Sequence, residues 1–173
     1  MNLLFRLLIL LISSWRRPGQ ELMSTVRLGL RVLPTDLDVN LHLTNSRYLA
    51  FMDLGRIELM LRSGLFGKVI RRRWLPVVST ASLRFRREIG LFQRIHLNTR
   101  LLGWDEKWFY MEQRFETDQG VAAIGIVKGL FRGPEGNVPT RQLLSLAGYS
   151  GDMHRTGLVD ALDAYERELQ KSV

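Results

Sequence analysis

The 173 residues contain no cysteine, which excludes disulfide bonds, a thiolate nucleophile and any Cys-ligated zinc. Histidine is almost as scarce: His42, His96 and His154 stand far apart, so no metal-ligand spacing arises and no cofactor is implied. No apolar run approaches the roughly 20 residues that carry a helix across a bilayer. Acidic residues are outnumbered, 17 Asp and Glu against 25 Lys and Arg, leaving a net charge of +8. Such a field attracts the phosphates of a nucleotide, a lipid headgroup or a nucleic acid. The basic residues match no RNA or DNA motif and are not interleaved with aromatics, so no nucleic acid is expected as a partner. What is present is ordinary for a folded chain of about one domain, with 46% hydrophobic and 24% charged residues. Chemistry must therefore rest on carboxylates, hydroxyls, histidine or backbone dipoles.

Met1 to Ile12 is broken only by Asn2 and Arg6, and Pro18-Gly19 provides a stop after it. The basic pair Arg16-Arg17 follows the apolar run, and no small-x-small site is present, which argues against a signal peptide. On a 3.6-residue period, Asn2, Arg6, Ser13 and Arg17 share one side and Leu3, Leu4, Leu7, Leu8 and Leu11 the other. The expectation is a membrane-interface helix over residues 1–17, with Trp15 and the two arginines at headgroup level. Packing on the protein's own surface or in an oligomer contact is the alternative. The localisation expected is cytoplasmic and membrane-associated.

Thr25 to Val32 alternates as a half-buried strand, and the polar stretch Thr35 to Asn45 reads as a loop. Ser46 to Ser63 then adopts helical spacing through Tyr48, Phe51, Met52, Leu59 and Met60. Asn45 or Ser46 is placed to cap its start, Gly64 to close its end, and Glu58 and Arg62 to pair one turn apart. Four strand-like segments follow, Val77 to Arg87, Gln93 to Trp104, Lys107 to Thr117 and Val121 to Phe131, joined by short turns that favour an antiparallel meander. Val121 to Val127, apolar on both faces, suits an inner strand. Residues 141–147 suggest a short helix, and Leu158, Leu162, Tyr165 and Leu169 the stripe of a terminal one. The predicted class is α+β: a curved antiparallel sheet of about five strands wrapped around one long central helix, with extra terminal helices. Residues 1–19 form the apolar and basic helix, 20–140 the main domain and 141–173 a helical extension.

Polar groups concentrate just before the long helix, in Asp36-Leu37-Asp38-Val39-Asn40-Leu41-His42-Leu43-Thr44-Asn45-Ser46-Arg47-Tyr48-Leu49. A helix start presents free N–H groups and partial positive charge, able to polarise a carbonyl and hold an oxyanion. A carboxylate in the preceding loop can attack that carbonyl or activate water; Asp38 is the candidate. The bland alternative is that Asp36 or Asp38 only stabilises the loop and helix dipole.

This run, with Phe51-Met52-Asp53-Leu54-Gly55-Arg56 after it, resembles the D-x-D-x-x-G-H-x-N-N-x-x-Y-L signature of hotdog-fold acyl-CoA thioesterases related to 4-hydroxybenzoyl-CoA thioesterase. The resemblance extends over residues 25–132 and implies a hotdog fold, with Asp38 as the catalytic carboxylate. His42, Asn45 and Tyr48 fall on motif positions and Ser46 beside them, which makes all four candidate substrate contacts. Arg56 falls on the arginine that often follows. Two positions depart: Leu41 replaces the motif's glycine, implying a different loop path or a narrowed pocket, and Thr44 replaces its first asparagine. The resemblance also implies an acyl-CoA or acyl-carrier substrate, no metal, and a homodimer or dimer of dimers with active sites at the subunit interface. Phe51, Met52, Leu59, Leu83 and Phe85 are candidates to line an acyl tunnel or to serve as plain core. Arg84 and Arg86, or the run Arg71 to Arg73, are candidates for CoA phosphates. A hydratase of the same broad fold needs a D-x-N-x-x-H element; here Asp38, Asn40 and His42 stand one residue short. A non-catalytic acyl- or lipid-binding protein is the rival reading.

Overall fold

The structure, a computed structural model, describes residues 2–14, 17–152 and 155–171. Chain order is α1 (Asn2–Ser14), β1 (Val26–Arg31), α2 (Asn45–Arg62), α3 (Phe66–Arg71), β2 (Leu75–Phe85), β3 (Arg94–Trp104), β4 (Phe109–Thr117), β5 (Gly120–Gly133), β6 (Gly136–Val138), α4 (Thr140–Leu146) and α5 (Gly157–Gln170). The strands pair antiparallel in the order β1-β3-β4-β5-β2, with short β6 added to β5. Only β3, β4 and β5 form the expected meander. Strand β2 joins beyond β5 and becomes an edge, while β5 lies inside the sheet as its two apolar faces require. The sheet curls around α2, which is the hotdog arrangement.

Two clusters fill the space between helix and sheet. Phe51, Met52 and Leu54 of α2 meet Leu28, Ile95, Leu97, Phe115, Ala123 and Val127. Farther along α2, Leu59 meets Leu65, Val69, Trp104, Phe109, Phe131 and the α4 residues Leu143 and Leu144. Each fully buried side chain of this size contributes about 1.5–3 kcal/mol. Gly55 sets the helix-to-sheet spacing, because a Cβ there would stand 2.6 Å from Thr99 Oγ1 and 2.7 Å from Gln113 Nε2. Gly64 closes α2 with φ +70°, as expected. The N-cap is Thr44, one residue before the expected pair. Glu58 is fully buried and takes Arg17 Nη1 at 2.6 Å instead of pairing with Arg62.

Helix α1 does not display its polar side to solvent. Leu3, Leu7 and Leu10 join the first cluster, and Arg6 turns inward to Asp36 at 2.5 Å, its guanidinium 4.8 Å from the Phe51 ring centroid. The open side carries Leu4, Phe5, Leu8, Ile9 and Ile12. The cause is buried charge: the carboxylates of Asp36 and Glu58 draw Arg6 and Arg17 in, and the helix turns with them. Trp15 and Arg16 lie outside the described residues. Among the described residues no helix is long and apolar enough to cross a membrane.

Helix α5 departs from its apolar stripe for the same reason. Leu158, Tyr165 and Leu169 stay exposed, while Val159 and Leu162 are buried. Asp163 and Glu166 meet Lys128 Nζ of β5 at 2.8 and 2.5 Å. Tyr110 Oη donates to Asp105 and Asp163 at 2.9 and 3.0 Å, and Arg155 Nη2 reaches Asp163 at 2.6 Å. Burial alone would lower Lys128, but hydrogen bonds and charge from Asp163 and Glu166 hold it above the usual lysine value. Asp163 is held below the usual carboxylate range: burial opposes this, and the bonds from Lys128, Arg155 and Tyr110 outweigh it.

Candidate active site

The two aspartates of the D-x-D element occupy opposite environments. Residues Pro34–Asp36 form a 3-10 turn in which Asp36 is fully buried. Its Oδ2 accepts from Leu33 N at 2.9 Å and Arg6 Nη2 at 2.5 Å, Arg47 Nε stands 3.4 Å from Oδ1, and its carbonyl accepts from Thr44 N. This carboxylate joins β1's end, α1 and α2. Asp38 is exposed. Its backbone N–H donates to His42 O at 2.9 Å, and its Oδ1 accepts from Asn40 N at 2.9 Å and His42 N at 3.2 Å. One oxygen thus closes the loop, and no hydrogen bond to Oδ2 is found among the described residues.

Leu41 sits in that loop at φ +61°, in the left-handed region that a glycine adopts freely and a residue with a Cβ enters at a cost of about 1–2 kcal/mol. Its side chain is 70% exposed, so within one chain the leucine retains a glycine-like turn and narrows no pocket.

At the start of α2, Thr44 makes no side-chain cap bond. The N–H groups of the first helical residues, Asn45 and Ser46, have no intrahelical acceptor, and both residues are exposed. The Tyr48 side chain, by contrast, is core: it packs edge-on to Phe85 and Phe115, each with ring centroids 4.9 Å away. Burial pushes its phenol up to about 12, so it stays neutral. His42 is half-exposed, with Nε2 3.2 Å from Glu88 Oε2, a partner that spacing gave no sign of.

The candidate phosphate ligands do not converge on this point. Because Phe85 faces Tyr48, alternation puts Arg84 on the opposite face of β2. Arg86 lies just past the strand, exposed, its N–H bonded to Ala122 O. Arg71 ends α3 and Arg72 and Arg73 follow it, beyond the C-terminal end of α2, with Arg72 over the Trp74 ring. Of the tunnel candidates, Phe51, Met52 and Leu83 belong to the core, and Leu59 lines a cleft. That apolar cleft, of about 60 Å³, lies between the C-terminal half of α2 and strands β2, β4 and β5, with Arg56 its one charged lining residue. Arg56 is tied to Gln113 Oε1 at 3.0 Å and to Asp53. Gln113, fully buried and also bonded to Met52 O and Thr99 Oγ1, was missed in the sequence; a lone glutamine in a strand carries no local signal. Among the described residues no group of three metal-ligating side chains is found.

Apolar side chains are exposed at the β2 edge and in loops. Leu75, Val77, Val78 and Phe85 are open on β2, and Val39, Leu41, Leu91 and Phe92 are open in loops, Val39 at 95%. A long apolar edge strand is a place where another strand can pair.

Residues 32–140 match the family model of the thioesterase-like superfamily. Protein THEM6 of Xenopus laevis is 44% identical over 95 residues, which cover 54% of this chain and 46% of that protein. The chain spans about half the length of the curated relatives it matches. Among solved structures, the YbaW probable thioesterase of Escherichia coli superposes with a TM-score of 0.63 at 21% identity, covering 68% of this chain and 95% of that one. The gentisyl-coenzyme A thioesterase BH1999 gives 0.64 at 18% identity, covering 70% and 98%. With more than half its length matched by the family model and a sheet curled around one helix, this chain belongs to the thioesterase-like superfamily.

Proposed function

We propose that the chain hydrolyses acyl-CoA thioesters, with Asp38 as the reacting carboxylate and the first turn of α2 as the electrophilic pole. The observation that carries this reading is the division of labour in the D-x-D element: Asp36 is spent on structure, while Asp38 is pinned through Oδ1 alone, beside a helix start without a side-chain cap. The thioester oxygen receives the N–H groups of Asn45 and Ser46 as the carbonyl carbon becomes tetrahedral. Asp38 either attacks that carbon, giving an anhydride that water then opens, or takes a proton from the attacking water. In both routes the C–S bond breaks and the thiolate leaves to be protonated. His42 orients substrate or loop.

One chain leaves Asp38 facing solvent, so the reading requires a second copy. Pairing along β2 would cover the apolar loop tip and give the carboxylate an opposite wall, which supports a homodimer or a dimer of dimers. Residues 20–140 carry the chemistry and 141–173 brace the sheet. Residues 1–19 set the open side of α1 against a lipid surface, which the +8 charge favours when the lipid is anionic.

The test is a panel of acyl-CoAs of increasing chain length, assayed with wild type and Asp38→Asn. Hydrolysis that falls by roughly 10²–10⁴ in the variant, with acyl-CoA binding retained, is expected. Binding without turnover in wild type would establish the non-catalytic reading instead. A protein that sediments as a monomer and leaves Asp38 uncovered would refute the site.

A further inference from the structure

We infer that Arg6 of α1 is a positioning residue for the Asp38 loop, so that α1 holds the reacting carboxylate in place. The inference rests on the proposed role of Asp38 and deepens it.

The geometry runs through Asp36. This side chain is fully buried two residues before Asp38. Arg6 Nη2 donates to its Oδ2 at 2.5 Å and to Arg31 O, at the end of β1, at 2.9 Å. The guanidinium also lies 4.8 Å from the Phe51 ring on α2. One planar cation therefore fixes three things together: the strand that leads into the loop, the turn that begins it and the helix that receives it. On the other side of Asp36, Arg47 Nε is 3.4 Å away and Arg47 Nη2 donates to Thr35 O at 3.1 Å. The loop of residues 38–42 carries its own hydrogen bonds, Asp38 N to His42 O, Leu41 N to Asp38 O and the two bonds to Asp38 Oδ1, and at its far end His42 meets Glu88 and Leu43 N donates to Ile89 O. It also contains Leu41 in a left-handed conformation that it would leave if released. Such a loop keeps its shape while both ends of its base are clamped, and at the Asp36 end the buried cation that does so comes from α1. The second tether of α1, Arg17 to Glu58, is anchored more than three turns along α2 from Asn45 and does not touch the loop.

The experiment uses the full chain with Arg6→Gln and Arg6→Lys, reading steady-state hydrolysis of an acyl-CoA that wild type turns over and backbone hydrogen exchange. Arg6→Gln should lower kcat at least tenfold with KM within about threefold, and speed exchange over residues 36–44 selectively. Arg6→Lys, which restores the cation without the fork, should recover part of both. Wild-type kcat and loop exchange in Arg6→Gln would overturn the inference. If Arg6→Gln does not fold, Arg6→Lys decides: faster exchange confined to the loop supports positioning, and uniform acceleration over the domain or no change refutes it. A wild type that hydrolyses no acyl-CoA would defeat the enzymatic reading, and the exchange measurement would still judge the clamp.

Discussion

Replacing Gly55 by alanine should push α2 away from the sheet. The added Cβ would lie 2.6 Å from Thr99 Oγ1, 2.7 Å from Gln113 Nε2 and 2.9 Å from Leu97 Cδ2. Ordinary contact needs about 3.5–4.0 Å, so the interface must open by roughly 1 Å. Gln113 has little freedom to step aside, because it donates to Met52 O and Thr99 Oγ1 and accepts from Arg56. Overpacking typically costs about 1–3 kcal/mol, and each hydrogen bond surrendered adds about 1 kcal/mol. Against this, alanine is the better helix former by about 1 kcal/mol. The net expectation is a loss of about 1–3 kcal/mol, or roughly 3 to 9 °C in Tm for a chain of this size. Urea titration of Gly55→Ala, of Thr99→Ala and of the double variant provides the assay. The double variant removes one of the three close atoms, so its loss should be smaller than the sum of the single losses. A Gly55→Ala protein as stable as wild type would refute the claim that this glycine sets the helix-to-sheet distance.

Leu41→Gly should leave stability unchanged or raise it by up to about 1 kcal/mol, since relief of the left-handed strain exceeds the extra chain entropy lost on folding; a clear loss in denaturant midpoint would show that the leucine side chain has a hidden partner. Asp163 and Glu112 are both held below the usual carboxylate range. The unfolded chain therefore takes up these protons first, and their stabilisation is present above about pH 4 and fades as pH falls through the lower folded values. Asp163→Asn should flatten that acid slope in urea midpoints between pH 3 and 7, and an unaltered slope would contradict the reading. Lys128, held above 10.5, adds stability that is complete below that pH and is lost only as pH rises through the folded value. On the open side of α1, Leu4→Ser with Leu8→Ser and Ile12→Ser should weaken co-sedimentation with anionic vesicles at least tenfold while preserving the fold, because all three side chains are exposed. Deleting residues 1–19 is a poorer test, since it strips Arg17 from buried Glu58, and breaking such a pair costs about 3–5 kcal/mol; vesicle binding unaffected by the triple substitution would sink the lipid contact.

Strand alternation, the helical spacing of residues 46–63, the turn residues and the D-x-D element are local features, each readable within a few neighbouring residues. They were enough for the main strands and the long helix, the curled sheet around that helix and the family, but not for α3, β6 or the edge position of β2. Which of Asp36 and Asp38 is the buried carboxylate was not legible, because the deciding partner, Arg6, is 30 residues away. The same distance in sequence hid the docked side of α1, where Arg17 reaches Glu58 across 41 residues, and that of α5, where Glu166 reaches Lys128 across 38. Tyr48 matched the motif, yet Phe85 and Phe115 enclose its ring. Periodicity records which residues can share a face, whereas the face that is buried is chosen by the charges that lose water there, and those meet their partners only when distant segments come together.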